Sequence, residues 1–337
     1  MVGCLVGCGF FAENHLNAWR DLGLTIAAVC DVDLGKARAT AERHGIARYY
    51  GDADDMLVQE KPEFVDVVTT VGSHRGLVEL AARQGVPVIC QKPFAATLED
   101  ADAMVSACER AGIPLMVHEN FRWRTPMLAV RWAIDEGRIG TPFFGRVSCR
   151  HDYDVYAVQP YLAEIDRFAI LDVGIHLLDL ARFYFGEVES IACTKQRANP
   201  VVRGEDVATM LLRHVGGATS IVDASFFTHS HPTPFPETTV EIDGTEGAAR
   251  VLEGYRLQLT ERASTSITSV EPRPMPWMSK PWHDVQTSVV NIQRHWIEVL
   301  KAGSDPATSG RDNRKTLQLG LLAYDAAETG QTIRVQG

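Results

Sequence analysis

Residues 1–12 read MVGCLVGCGFFA, an apolar run that breaks at Gly7-Cys8-Gly9-Phe10-Phe11-Ala12. A buried strand that ends in a glycine turn and re-enters as a helix is how proteins hold a dinucleotide pyrophosphate. Gly7 permits the tight turn, Gly9 lets the backbone approach the phosphates, and Ala12 lets the helix pack on the strand. The free N–H groups at the helix start then face the anion. A second apolar run, Thr25 to Cys30, ends in Asp31, about 20 residues past the glycines. A carboxylate there accepts both ribose hydroxyls of NAD and repels a 2′-phosphate. Asp33 follows, and the only nearby cations, Lys36 and Arg38, fall on the next helix. NAD is therefore expected rather than NADP.

The remainder of the first 120 residues repeats this alternation. Apolar runs at Phe64 to Val68, Val86 to Cys90 and Ile113 to Val117 are separated by amphipathic segments such as Gly76 to Arg83 and Leu98 to Arg110. Such alternation predicts right-handed βαβ units and a mostly parallel sheet, with its ligand at the carboxyl ends of the strands. The pattern then changes. Phe143 to His151, Ala208 to Arg213 and Thr219 to Ser225 alternate apolar with polar, the signature of a sheet with one buried face. Helices are expected at Val285 to Lys301 and Asp312 to Glu328. Glu271 to His283 carries four prolines and two tryptophans and reads as a loop.

The chain has 337 residues, a net charge of −10, and hydrophobic and charged fractions of 45% and 23%. Two domains are the expectation at this length. The acidic balance argues against nucleic acid or an anionic membrane as a partner. No stretch reaches the ~18 apolar residues of a membrane span. The seven scattered cysteines contain no Cys-x-x-Cys pair and read as reduced thiols of a cytoplasmic protein. No signal peptide is expected, since the first apolar run leads straight into the glycine turn.

Two segments carry the residues for chemistry beside a nicotinamide. Gln91-Lys92-Pro93 follows a strand at the carboxyl edge, where Lys92 can donate to a ribose hydroxyl and a substrate oxygen together. The Lys-Pro bond is a candidate for the cis form. In Leu171-Asp172-Val173-Gly174-Ile175-His176-Leu177-Leu178-Asp179, the three ionisable groups fall at i, i+4 and i+7 of an otherwise apolar helix. His176 beside carboxylates suits a general base for an alcohol. A capping Asp172 with a core His176 is the competing reading. His229 and His231 stand two apart, but no third metal ligand is apparent, and no metal is expected.

These features, in this order, resemble the Gfo/Idh/MocA oxidoreductases, the relatives of glucose–fructose oxidoreductase and inositol dehydrogenase. The resemblance rests on the glycine turn, Thr69 to His74, Gln91-Lys92-Pro93, Asn120-Phe121-Arg122, Asp172 with His176, Gly244-Thr245-Glu246-Gly247, and the ending from Thr308-Ser309-Gly310 to Thr329-Gly330. It implies an α/β protein: a Rossmann NAD-binding domain over residues 1–121, then an α+β domain over 122–337 with a large open, mostly antiparallel sheet. The second domain would bind substrate and make a homodimer or homotetramer, and the C-terminal helix is a candidate to pack back on the first domain. The implied activity is oxidation of a sugar or cyclitol hydroxyl, pentoses and branched pentoses included, with hydride transfer to the nicotinamide. Lys92, Asp172 and His176 would be catalytic. Gly7, Gly9, Phe10, Phe11, Ala12, Asp31, Thr70, His74, Gln91 and Lys92 would line the cofactor. Asn120, Arg122 and Arg167 would join the catalytic residues around the sugar. Gln91 stands where the family usually has Glu, and Thr70 where many members have Pro. A glycosidase of the same fold that retains NAD, and a non-catalytic NAD- or sugar-sensing protein, are the rival readings.

Overall fold

The computed structural model describes residues 1–336. The chain forms two compact units: Met1–Glu119 with Val289–Leu317, and Asn120–Ser288 with the segment from Gln318 onward.

The first unit is a parallel sheet of six strands among the described residues, in the order β3-β2-β1-β4-β5-β6. These are β1 (Val2–Val6), β2 (Thr25–Cys30), β3 (Arg48–Tyr50), β4 (Phe64–Val67), β5 (Val88–Gln91) and β6 (Leu115–His118). The helices that alternate with them are α1 (Ala12–Asp21), α2 (Leu34–His44), α3 (Ala53–Glu60), α4 (Val71–Arg83) and α5 (Leu98–Ala111). The order reverses between β1 and β4, so the crevice at their carboxyl ends lies at a topological switch point. β3 was not expected: it has three residues, two of them exposed, and carries no apolar run. Ala12 sits in a small core with Leu5, Leu16, Val29, Ala41 and Val68, where a larger side chain would hold α1 off the sheet.

The second unit carries a nine-stranded sheet among the described residues, mostly antiparallel. It opens with a 3-10 turn (Asn120–Trp123) and α6 (Thr125–Asp135), followed by β7 (Pro142–Arg150). After α7 (Ile175–Phe185) come β8 (Val188–Gln196), β9 (Val207–His214), β10 (Thr219–Ser225), β11 (Thr239–Gly244), β12 (Gly247–Leu252), β13 (Arg256–Glu261) and β14 (Ser264–Ser269). The helices α8 (His283–Ala302) and α9 (Gly310–Thr329) precede β15 (Ile333–Arg334). The sheet order is β14-β13-β12-β11-β7-β10-β9-β8-β15, with β7 and β10 parallel. One face packs Val147, Cys149, Met210, Leu212, Val222 and Ala224 into a core with α7. The other face leaves Leu211 half exposed, opposite Ile221 in the β9–β10 register.

The helix expected around Asp172 begins differently. Residues Ile170–Gly174 form a π-turn that runs directly into α7. The i, i+4, i+7 alignment of a regular α-helix therefore does not hold across Asp172 and His176, because the wider turn changes their angular offset. The Pro/Trp-rich segment is a loop, and its Trp282 packs edge-on against Phe235 and Tyr153.

Candidate active site

Gly7 has φ +100° and donates its N–H to the Cys30 carbonyl at 2.7 Å. A Cβ at this position would collide with the Val68 carbonyl, so glycine is required twice, by conformation and by space. A Cβ at Gly9 would meet nothing within 4 Å, which leaves its surface open for a phosphate to approach. Phe10 is exposed and Phe11 half-buried, and Phe11 sits edge-on to His15. These residues fit a dinucleotide: an open glycine surface, backbone N–H groups at the start of α1, and a carboxylate beside them.

That carboxylate is Asp31. Its Oδ2 accepts the Cys8 N–H at 2.8 Å and its Oδ1 the Asp33 N–H at 2.9 Å. It therefore ties the glycine turn to the end of β2. Asp33 serves the next helix. Its Oδ1 caps α2 by accepting the Gly35 and Lys36 N–H groups at 3.0 and 3.2 Å.

Two of the residues expected to line the cofactor are engaged inside the protein, and a third is exposed. His74 is fully buried, with its ring nitrogens 3.2 Å from the Phe94 carbonyl and 3.1 Å from the Thr69 carbonyl. It pins two loops together inside the protein. Burial lowers its pKa despite those carbonyls. Gln91 is buried, and both ends of its amide are used internally, on His15 and on the Lys92 backbone N–H. Thr70 is exposed at the N-cap of α4 and makes no side-chain cap bond. Lys92 is half-buried, and its bond to Pro93 is cis.

In the second unit, the turn Asn120–Trp123 and the following Arg124 hold the helix that carries His176. The His176 imidazole lies flat on the Phe121 ring, with centroids 3.9 Å apart and planes 2° from parallel. Phe121 carries the Arg124 guanidinium at 4.8 Å on its ring. Arg124, fully buried, donates to Asp284 at 2.6 Å, Thr238 at 2.9 Å and the Pro236 carbonyl at 2.9 Å. Arg122 was expected to face the sugar. It is instead buried in a two-pronged pair with Asp179, at 2.5 and 2.7 Å, and Arg182 lies 3.8 Å from the same carboxylate. Asn120 is likewise turned inward, donating to Ser288 at 2.6 Å. Arg167 is exposed and lies 4.8 Å from the centroid of the Tyr324 ring.

The π-turn has a carboxylate at its start. Glu205 Oε1 accepts the Phe168 and Ile170 N–H groups, each at 3.1 Å, and the Tyr324 hydroxyl at 2.6 Å. Anion and helix N-terminus suit each other there. Asp172, half-buried, follows within the turn, and the buried His151 feels its charge. His151 lies edge-on to both Phe226 and Phe235, and burial pushes its pKa down to about 4.

Sequence reasoning missed His15, Phe121, His151 and Glu205. A lone histidine, phenylalanine or glutamate has no spacing partner, and only the Asn120-Phe121-Arg122 segment drew attention to one of them. His229 pairs with Asp152 at 2.9 Å. Among the described residues, no group of three or more His, Cys, Asp or Glu could hold a metal ion, and no helix is long and apolar enough to cross a membrane.

The family model for "Oxidoreductase family, NAD-binding Rossmann fold" matches residues 3–119, and that for the "GFO/IDH/MocA C-terminal domain" matches residues 127–250. The chain is 53% identical to a D-apiose dehydrogenase of Paraburkholderia graminis over 99% of its own length and 89% of the relative's. It is 51% identical to a D-apiose dehydrogenase of Rhizobium rhizogenes, over 99% and 97%. An oxidoreductase from Agrobacterium radiobacter, solved in complex with NAD+, L-tartaric acid and magnesium, superimposes with a TM-score of 0.98 at 51% identity. The match covers 99% of this chain and 98% of that one.

Proposed function

The chain belongs to the Gfo/Idh/MocA oxidoreductase family and is an NAD-dependent sugar dehydrogenase; from that premise we propose that its substrate is D-apiose, a branched pentose. The observation that carries this reading is the 51–53% identity, over 99% of the chain, to two proteins named for that activity.

The mechanism follows from the groups the chain supplies. Gly7, Gly9 and the α1 N-terminus hold the pyrophosphate, and Asp31 holds the adenosine ribose. Bound NAD accepts the hydride that leaves the sugar carbon. As that C–H bond breaks, His176 takes the proton of the hydroxyl on the same carbon, and a carbonyl forms. Stacking on Phe121 supports this role, because a ring held in one plane presents its nitrogens in fixed directions. Lys92 donates to the reacting oxygen and to the nicotinamide ribose, which favours the developing charge. Asp172 orients the sugar or the imidazolium that forms. Arg122 acts on the protein side, holding α7 through Asp179. Arg167 remains a candidate contact for the sugar.

The open face of the second sheet supports a homodimer or homotetramer. Seven cysteines without a disulfide, six of them buried, support a reducing compartment, the cytoplasm. Burial pushes the thiols of Cys4, Cys30, Cys108 and Cys193 up to about 12, so they are packing groups, not nucleophiles.

The test is a panel of aldoses and cyclitols offered with NAD and with NADP, followed by NADH absorbance. D-Apiose with NAD should give the highest kcat/KM. A higher value for a linear pentose or an inositol would overturn the substrate assignment.

A further inference from the structure

A buried hydrogen-bond chain in the first unit ends on the backbone of Lys92. Asp66 on β4 and His15 on α1 are both fully buried. Asp66 Oδ2 lies 2.7 Å from the indole Nε1 of Trp19 and 2.7 Å from Nδ1 of His15. An indole N–H only donates, so Oδ2 is an acceptor and His15 carries its proton on Nδ1. The other ring nitrogen of a neutral His15, Nε2, is then a lone pair. It faces the Gln91 Nε2 at 3.2 Å, which donates to it. That fixes the amide: its Oε1 must accept, and it takes the Lys92 N–H at 2.7 Å. The hydrogen-bonded atoms along this path are complementary with one arrangement of protons, while the other carboxylate oxygen, Asp66 Oδ1, is buried without a hydrogen-bond partner.

We propose that Asp66, His15 and Gln91 are positioning residues for Lys92, and that glutamine at position 91 is what lets this chain run through a neutral histidine. The proposal rests on the catalytic role given to Lys92 above. A glutamate at 91 would still accept the Lys92 N–H, but its second oxygen would oppose the His15 lone pair. Only a second proton on His15 would relieve that, placing an imidazolium between two carboxylates in a dry interior. The groups that face His15 are Asp66 from β4, Trp19 and Phe11 around α1, Gln91 from β5, and the ring of His118 from β6, 4.2 Å away centroid to centroid. Asp66 and His118 are the titratable ones.

The test uses the whole enzyme with NAD and whichever aldose the wild type oxidises best. Gln91→Met keeps the length and removes donor and acceptor together. It should lower kcat/KM about 10- to 100-fold, the scale of a small misplacement of a catalytic group. NAD affinity, read by fluorescence titration, should fall less than kcat/KM, since Gly7, Gly9 and Asp31 are untouched. Adding His15→Phe to Gln91→Met should cost no more than Gln91→Met alone, because the path is already broken. Gln91→Glu should also lower kcat/KM, because its second oxygen opposes the His15 lone pair. A readout independent of turnover is the ¹⁵N NMR of His15, which should show a proton on Nδ1 and a bare Nε2 in the wild type. Wild-type rates in Gln91→Met, wild-type rates in Gln91→Glu, or a proton on His15 Nε2 in the wild type would each overturn the proposal. A wild type that oxidises no sugar, or a fully active Lys92→Ala, would instead overturn the functional reading and leave the NMR result to judge the proton arrangement.

Discussion

His176 is stacked on an aromatic face, and the consequences are specific to that residue. His176→Ala should lower kcat by about 100- to 10,000-fold, the usual worth of a general base. NAD affinity should stay the same, since the Rossmann unit is untouched. The acid limb of the kcat/KM profile should vanish with it, because protonated imidazole cannot accept a proton. Asp31 is the second such residue. Asp31→Ser with Val32→Arg should shift kcat/KM toward NADP by about tenfold or more, since removing a like charge near a 2′-phosphate is worth several kcal/mol. Val32 is almost fully exposed, so the new guanidinium has room. Arg122 and Asp179 show the opposite economy. Removing one partner of a buried pair leaves an uncompensated charge, so Asp179→Leu should destabilise the protein by about 3–5 kcal/mol in urea unfolding. A loss below about 1 kcal/mol would mean that Arg122 finds other partners or water.

The elements that carry these residues are fixed at their ends. Asp33 caps α2, and Asp33→Ala should cost about 1 kcal/mol of stability while leaving the Asp31 carboxylate bonded to the Cys8 N–H. A melting curve paired with an NAD titration separates the two. The π-turn at Ile170–Gly174 is fixed by Glu205, which serves two backbone N–H groups and a tyrosine with one oxygen. The turn sets the angular offset between Asp172 and His176. Sequence periodicity gave the existence of the helix but not this offset, because a wider turn uses the same residue types. His151, packed between Phe226 and Phe235, adds a pH term. Its pKa is lowered in the folded state, to about 4, so the unfolded chain binds the proton more readily. Stability should therefore fall as pH drops from about 6.5 to about 4, by about 3 kcal/mol at most. His151→Leu should flatten that stretch of the stability–pH curve, and an unchanged slope would place the effect on His74 or His214, whose pKa values burial also lowers.

For the whole molecule, the open face of the nine-stranded sheet is the feature that asks for a second copy. Leu211 and Ile267 are 51% and 57% exposed, and Ile221 stands directly across from Leu211. Light scattering at micromolar protein should show a dimer or tetramer. Leu211→Glu should shift it toward monomer without lowering the melting temperature of the monomeric form. A wild-type monomer would remove this reading.

The sequence by itself determined the first unit, the cofactor and the reaction class. Gly7, Gly9, Ala12 and Asp31 act through backbone conformation and local spacing, and spacing is what a sequence displays. The alternation of apolar runs gave the parallel sheet for the same reason, save for β3, which is too short and exposed to carry a pattern. Lys92 drew attention by its place after a strand, and His176 as an ionisable group in an apolar helix. Tertiary structure alone decided how those groups are held. It turned His74, Gln91, Asn120 and Arg122 inward, stacked His176 on Phe121, set Glu205 at the head of the π-turn and threaded Asp66, His15 and Gln91 to Lys92. Each of these is a contact between residues far apart in the chain, and hydrogen-bond partners at such separations are chosen by packing, which leaves no period in the sequence to read.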